Sequence, residues 1–282
     1  MKRRLLPLIS FLCIALLPSG AAAQRTALKF VQLSDPQLGF FEDNRSMTRD
    51  SLNLETAVKE INRLHPSFVV VTGDMVNNGA SEKQIACYTG IISKIDRKIK
   101  VWHVPGNHDI GKGAADERIA KYIADYGFSR FSFRQRGCTF IGINSCIIKD
   151  DNVAAEREQF EWLERELAKA AKSSRAIFVF SHYPIFIKDY DEKTTYSNLE
   201  PDKRDKYWSL FRKYGVTAVV AGHLHSAKES EYEGIGMYTA GPVGRPLGSG
   251  FSGVAVWSVD TKEGGYTHKY ISLDELCELD ML

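Results

Sequence analysis

The stretch Val101-Trp102-His103-Val104-Pro105-Gly106-Asn107-His108-Asp109 runs a short apolar segment straight into an amide, an imidazole and a carboxylate. Four apolar, β-branched or aromatic positions read as a buried strand. The glycine behind them lets the backbone turn sharply and brings the polar side chains close together. The same arrangement recurs along the chain. Phe30-Val31-Gln32-Leu33 leads into Asp35 and Gln37, and Phe68-Val69-Val70-Val71 into Gly73-Asp74. Ile177-Phe178-Val179-Phe180 leads into His182, and Ala218-Val219-Val220-Ala221 into Gly222-His223-Leu224-His225. In open α/β sheets, ligands bind in the crevice beyond the carboxyl ends of the strands. Five chain-distant polar clusters are therefore expected to meet on one rim.

Between these strands, residues 50–64, 81–95, 114–126 and 154–172 have helical spacing, with Leu52, Ala57, Val58 and Ile61 taken as the apolar face of the first. Residues 130–133 and 138–144 suggest a hairpin. From Glu231 onward the helical signal fades, and residues 254–259 and 266–271 look like further strands. The pattern predicts an α/β protein with added antiparallel strands. With 44% hydrophobic and 26% charged residues, the chain has an ordinary globular balance.

Carboxylate, amide oxygen and imidazole form a mixed oxygen and nitrogen donor set suited to manganese, iron, zinc or magnesium. A carboxylate such as Asp74 can bridge two cations. A pair of cations about 3.5–4 Å apart can clamp the attacking and leaving oxygens of an in-line displacement.

Taken in order, Asp35-Pro36-Gln37, Gly73-Asp74-Met75-Val76-Asn77, Gly106-Asn107-His108-Asp109, Ser181-His182 and Gly222-His223-Leu224-His225 resemble the motifs of calcineurin-like metallophosphoesterases. The D-P-Q form of the first motif resembles a protein phosphatase-like branch. The resemblance implies a four-layer α/β/β/α sandwich over a single domain at residues 24–282. It implies one metal on Asp35, Gln37, Asp74 and His225, and a second on Asp74, Asn107, His182 and His223. It places His108 beside the metals as the group that steadies the phosphoryl group or protonates the leaving oxygen, with Asp109 orienting His108. The implied reaction is attack of a metal-bound hydroxide on a phosphate ester. Gln37 stands where many members carry histidine. Three oxygens and one nitrogen around the first metal favour a hard cation, manganese first.

Other residues weigh less. His65, His103 and His268 read as structural. Asn77 is open between a turn-forming and a supporting role. Arg245, in the turn-rich run Gly241-Pro242-Val243-Gly244-Arg245, is the candidate for gripping a substrate phosphate, with Arg45 and Arg49 unassigned. Tyr183, Tyr190 and Tyr196 divide between packing and a substrate-facing loop. Cys87, Cys138, Cys146 and Cys277 show no C-x-x-C spacing; one disulfide among them is compatible with export, and small buried hydrophobes are the simpler reading.

The expected substrate is a phosphate monoester, a phosphoprotein included, on the strength of the D-P-Q motif. A phosphodiester on the same site is the alternative. A non-catalytic metal-binding module predicts loss of His108, which this chain keeps. A peptidase would need H-E-x-x-H, which is missing from the sequence.

The first residues carry an address. Lys2, Arg3 and Arg4 precede an uncharged run from Leu5 to Leu17, and Ala21-Ala22-Ala23 precedes Gln24. This order is that of a secretory signal peptide, and it implies a periplasmic or extracellular protein. As a helix the apolar run reaches only about 20 Å, short of the roughly 30 Å of a hydrocarbon core. Removing residues 1–23 takes the formal charge from +2 to −1, which advertises neither nucleic acid nor an anionic membrane as partner. Mass spectrometry of protein recovered outside the cytoplasm should find an N-terminus near Gln24; intact Met1 on a membrane-bound product would overturn the reading.

Overall fold

Within the short apolar strands, alternate side chains face different partners. Phe30, Phe68, Val70, Phe140, Phe178, Phe180, Val220 and Trp257 gather in one buried cluster. Their neighbours Val31, Val69, Val71, Ile141, Ile177, Val179 and Val219 join a second cluster that includes the helices. A strand whose two faces are both buried reads as a continuous apolar run, which is why these runs lack a polar face. One cluster lies between two sheets and the other beneath covering helices, so the layers are helix, sheet, sheet, helix.

The chain is described here by a computed structural model over residues 27–278. Its elements are β1 (Ala27–Leu33), α1 (Thr48–Leu64), β2 (Phe68–Val71), α2 (Glu82–Ile92), β3 (Lys100–His103), α3 (Asn107–Ile110), α4 (Asp116–Tyr126), β4 (Phe131–Gln135), β5 (Cys138–Gly142), α5 (Ser145–Lys149), α6 (Val153–Ala171), β6 (Ile177–Phe180), α7 (Pro201–Tyr214), β7 (Ala218–Ala221), β8 (Lys228–Tyr232), β9 (Ile235–Thr239), β10 (Gly253–Asp260), β11 (Tyr266–Ser272) and α8 (Leu273–Glu278). One sheet has the order β11-β10-β1-β2-β3, the other β4-β5-β6-β7-β9-β8. The site-bearing strands are parallel within each sheet: β1 with β2 and β2 with β3, β5 with β6 and β6 with β7. Their carboxyl ends therefore lie on one edge of each sheet. The leader read at residues 1–23 lies outside the described residues. Among those described, no helix is long and apolar enough to cross a membrane.

Phe30 joins the sheets. Its ring stacks on Phe68 and Trp257 at centroid distances of 5.0 and 5.5 Å, and meets Phe140, Phe178 and Phe180 edge-on within 5.9 Å. Such edge-to-face and offset pairs add about 0.5–1.5 kcal/mol each beyond area burial. A polar bridge crosses nearby: the Gln32 amide donates to Thr72 Oγ1 (3.1 Å) and to the Ala221 carbonyl (2.8 Å), and accepts from the Trp257 indole.

Some elements depart from expectation. Helix α1 buries Leu54, Ala57, Val58 and Ile61, one face at helical spacing, while Leu52 is 57% exposed. Helix α7 escaped notice because its first half, Asp202-Lys203-Arg204-Asp205-Lys206, is charged; Pro201 starts it and Tyr207, Trp208, Leu210 and Phe211 anchor it. Strands β8 and β9 form a hairpin about Glu233-Gly234, both at positive φ. Lys and Glu on β8 mask the sheet edge. The thiols of Cys87, Cys138 and Cys146 are free.

His103, on β3, shares a hydrogen bond of 3.1 Å with the Tyr88 hydroxyl, and burial pulls its pKa down to about 4. The unfolded chain regains an ordinary value near 6.5 and so binds more protons than the fold between the two values. Stability should therefore be complete above about pH 6.5 and fall as pH drops toward about 4. In urea titrations His103→Gln should lose less stability on acidification through that window than the parent; equal losses would show that another group carries the proton.

Candidate metal centre

The loops after β1 and β2 continue the sheet ladder past the strands. Asp35, Gln37 and Leu38 donate their amides to Gly73, Asp74 and Met75 carbonyls at 3.3, 2.8 and 3.2 Å, and Asn77 returns a bond to Leu38. That pairing sets Asp35 and Gln37 beside Asp74. The other sheet contributes through a tie: the His223 amide donates to both Asp35 carboxylate oxygens, at 3.2 and 3.0 Å. Ser145 accepts from the amides of His182 and Tyr183, at 3.0 and 2.9 Å, and so seats the loop after β6.

The third loop is held by carboxylates. Asp109 accepts from the Gly106 amide (2.8 Å) and the Val76 amide (3.2 Å), and Asp74 Oδ1 accepts from the His108 amide (2.8 Å). Asp109 was expected to orient the His108 ring. Its oxygens instead fasten the turn that carries that ring, and the ring itself donates from Nδ1 to the Asn77 carbonyl at 3.0 Å. Asn77 also accepts from the Gln37 amide nitrogen (3.1 Å), so it orients two site residues at once.

Asp74 Oδ2, Asn107 Oδ1 and His223 Nδ1 surround His182 Nε2 at 3.3, 2.9 and 3.1 Å. The opposite ring nitrogen of His182 lies 2.8 Å from the Thr72 carbonyl and donates to it. That turns Nε2 toward three acceptors, Asp74, Asn107 and His223. On the other side, His225 Nε2 is 3.7 Å from Asp35 Oδ1, and its Nδ1 donates to the Arg245 carbonyl at 2.6 Å. Ser34 donates its hydroxyl to Asp35. The buried Gln37 Oε1 and His223 Nε2 have no hydrogen-bond partner.

Burial dominates the electrostatics and is answered by charge. Asp35 is pushed up by burial, against the pull of His225 and His182. Burial also pushes Asp74 up, but His182, His108 and His223 outweigh it and hold the carboxylate below its usual range. His182 is pulled down by burial and lifted further by Asp74, ending at about 9. His223 falls to about 3 through burial and the neighbouring His182. Burial, then the Asp74 charge, raises Asp109 well above the ordinary carboxylate value.

These residues fit divalent cations. Lone pairs of two imidazoles, an amide and a carboxylate converge with no donor among them except a proton on His182. The orphaned Gln37 oxygen shows the same need on the other side. Every residue read as a ligand in the sequence, namely Asp35, Gln37, Asp74, Asn107, His182, His223 and His225, is brought to this rim. Asn107 and His108 are half-exposed while the other six residues of the cluster are buried, so the centre opens on their side.

A cavity of about 530 Å³ lies there, lined by Asn107, His108, Tyr183 and Tyr196 among others. Tyr196 accepts from the Asn107 amide nitrogen at 3.0 Å, a contact that turns the amide oxygen toward His182. Tyr183 lies 4.2 Å from the His223 ring. Tyr190 is packing, stacked at 4.1 Å on Tyr232. Arg245 lies over the Phe40 ring at 5.4 Å, and Phe40 in turn meets His225 at 5.1 Å, which puts Arg245 on the rim opposite the cavity. Ser34, Thr72, Ser145 and the Asn77 carbonyl escaped the sequence reading because a hydroxyl or carbonyl that orients a ligand carries no spacing signal.

Residues 28–227 match the family profile described as Calcineurin-like phosphoesterase. The chain belongs to that family. Serine/threonine-protein phosphatase CPPED1 of Danio rerio is 33% identical to it over 270 residues, 89% of this chain and 87% of the relative. The Homo sapiens protein of the same name is 29% identical over 268 residues, 88% and 85% of the two chains. A dimetal phosphatase from Danio rerio shares the fold with a TM-score of 0.64 at 14% identity, covering 87% of this chain and 96% of that one. This calcineurin-like phosphoesterase is thus a phosphoester hydrolase, and its family implies divalent metal ions.

In this calcineurin-like phosphoesterase, Gly106 leaves no room for a side chain. A Cβ there would sit 2.1 Å from both the amide nitrogen and Oδ1 of Asp74. Gly106→Ala should destabilise the fold by about 1–3 kcal/mol and strip it of tightly held metal. Thermal melts and metal analysis after dialysis check both; full metal retention would mean that Asp74 is not the pivot of the site.

Proposed function

We propose that this chain is an exported phosphomonoesterase acting through a pair of divalent cations. The observation that carries the reading is the convergence of Asp74, Asn107, His182 and His223 with His108 beside them, its ring fixed by the Asn77 carbonyl. Asp35, Gln37, Asp74 and His225 would hold one cation, and Asp74, Asn107, His182 and His223 the other. When bound, the cations supply an activated water and neutralise charge on the phosphoryl oxygens. The relatives named as serine/threonine-protein phosphatases support a monoester, a phosphoprotein among them. The charged and apolar order of residues 1–23 supports export.

The chain's own groups divide the remaining work. The His108 Nδ1 proton is engaged by Asn77, so Nε2 is the atom that faces the reaction; in its imidazolium form the ring passes the Nε2 proton to the departing alcohol oxygen and is left neutral, with the Nδ1 proton still engaged by Asn77. The hydrogen bond that the His108 backbone amide donates to Asp74 Oδ1 keeps that atom in a fixed relation to the metal ligands. Tyr196 keeps the Asn107 oxygen aimed inward. Arg245, on the far rim, would grip a phosphoryl oxygen.

An aryl phosphate turned over in the presence of manganese tests the reading directly. His108→Ala should lower kcat by about 10²–10⁴-fold with metal content nearly unchanged. Loss of metal with an undiminished rate per metal would reverse the role of this residue.

Gln37 offers a second measurement. Its amide oxygen is neutral, so manganese should activate better than zinc, and Gln37→His should tighten the first site and shift preference toward zinc. Identical cation rankings and affinities for the two proteins would show that Gln37 is not a ligand.

A further inference from the structure

The cavity beside His108 carries charge that the reaction does not use. The loop between α3 and α4 and the start of α4 contribute Lys112 and Arg118 to its lining. Both are exposed, and neither has an ion-pair or hydrogen-bond partner among the described residues. The loop is anchored all the same: Gly113 donates its amide to Asp150 Oδ2 at 2.9 Å, and Asn152 donates to the Ala114 carbonyl at 2.9 Å. Arg118 folds over Gly111, with Nη1 2.8 Å from the place a Cβ would take, so its head lies on the wall. Tyr183 and the 65% exposed Tyr196 add an aromatic part to the lining. Asp150 also lines the cavity, but its carboxylate is already engaged by the loop amide, which leaves two free cations against one occupied anion.

His108, the proton donor to the departing oxygen, lines this cavity, whereas Arg245 lies on the other rim. The departing alcohol therefore leaves into the cavity. We propose that this cavity is a leaving-group subsite for phosphate monoesters whose alcohol portion carries its own negative charge, held by Lys112 and Arg118 while Tyr183 and Tyr196 flank its apolar body. This assignment rests on the phosphomonoesterase reading and adds the substrate class to it. A volume of about 530 Å³ suits an alcohol of small-molecule size or a phosphorylated side chain with its nearest neighbours.

Two esters that differ by one charge test the subsite on the metal-loaded full chain: phenyl phosphate and 4-carboxyphenyl phosphate. The parent should prefer the carboxylated ester in kcat/KM. In the double variant Lys112→Gln, Arg118→Gln that preference ratio should fall on the order of tenfold. The substrate ratio cancels any general loss of fold, and comparing it between the parent and the double variant cancels the leaving-group chemistry of the two esters. An unchanged ratio overturns the proposal. So does an equal loss on both esters, because the cations would then be serving the transferred phosphoryl group. Lys112→Glu with Arg118→Glu should invert the ratio toward an ester bearing an aminomethyl group instead.

Binding of phenylphosphonate and 4-phosphonobenzoate, which cannot be hydrolysed, separates this proposal from the reading beneath it. A charge preference in binding that the double variant loses, without turnover of either ester, retains the subsite and rejects the phosphomonoesterase reading. Turnover with no charge preference does the reverse. A phosphoserine peptide flanked by glutamate, set against its alanine-flanked counterpart, then identifies the source of the anion. Dependence on Lys112 and Arg118 there points to protein substrates, and dependence confined to the small ester points to a small molecule.

Discussion

Asp74 is a carboxylate with almost no access to water, and the site is built around keeping it charged. Burial alone would neutralise it. Three imidazoles, each from a different loop, and the His108 amide counter that tendency. The arrangement is therefore mutual. His182 is lifted to about 9 by Asp74, and Asp74 is held down by His182. Removing either partner leaves the other as an unpaired buried charge, which is far more costly than losing an exposed ion pair. Gly106 and the Asp109 carboxylate let the His108 turn approach Asp74 closely.

The same requirement explains the sandwich. Asp35 and Asp74 come from one sheet, His182, His223 and His225 from the other. Only a face-to-face pairing with both sets of carboxyl ends on one edge brings them together. Phe30 and the rings around it fix that pairing from below, and the Gln32 bridge to Ala221 fixes it close beneath the site. The aromatic interior is thus the foundation on which the distance between the two half-sites depends. Side chains in such an interior are packed at near-crystalline density and transmit strain poorly tolerated by a metal centre.

Much of this was readable in the residues. The central strands announced themselves because they are buried on both faces, and the glycines and polar residues that follow them marked the rim. What escaped were elements whose signals are diluted. Helix α7 begins in a run of charge, and β8 alternates charges because it is an exposed edge. Leu52 was misread as core because spacing alone does not say where a helical stripe is centred, whereas the register of Leu54, Ala57, Val58 and Ile61 does. At the site, residue types with strong chemistry were found by motif and order. The hydroxyls and carbonyls that aim them were invisible, since Ser145 or the carbonyl of Asn77 looks like any other until the fold places it. Asp109 illustrates the boundary: its presence in the cluster was legible, but whether it holds a ring or a turn is decided by hydrogen-bond geometry.

The backbone at the centre has one more property. Asp35, Gln37, Asp74, His223 and His225 all have φ between 41° and 72°, in the left-handed region. Asp and His visit that region more readily than most residues, whereas glutamine adopts it at a cost of roughly 1–2 kcal/mol. Glycine or asparagine would suit the same loops better as far as folding is concerned. A search for thermostable variants that scored only melting temperature would therefore drift toward replacing the ligands themselves, and would arrive at a more robust sandwich with nothing left to hold a cation. Stability and chemistry are opposed at these five positions, and any directed evolution of this chain has to select for both at once.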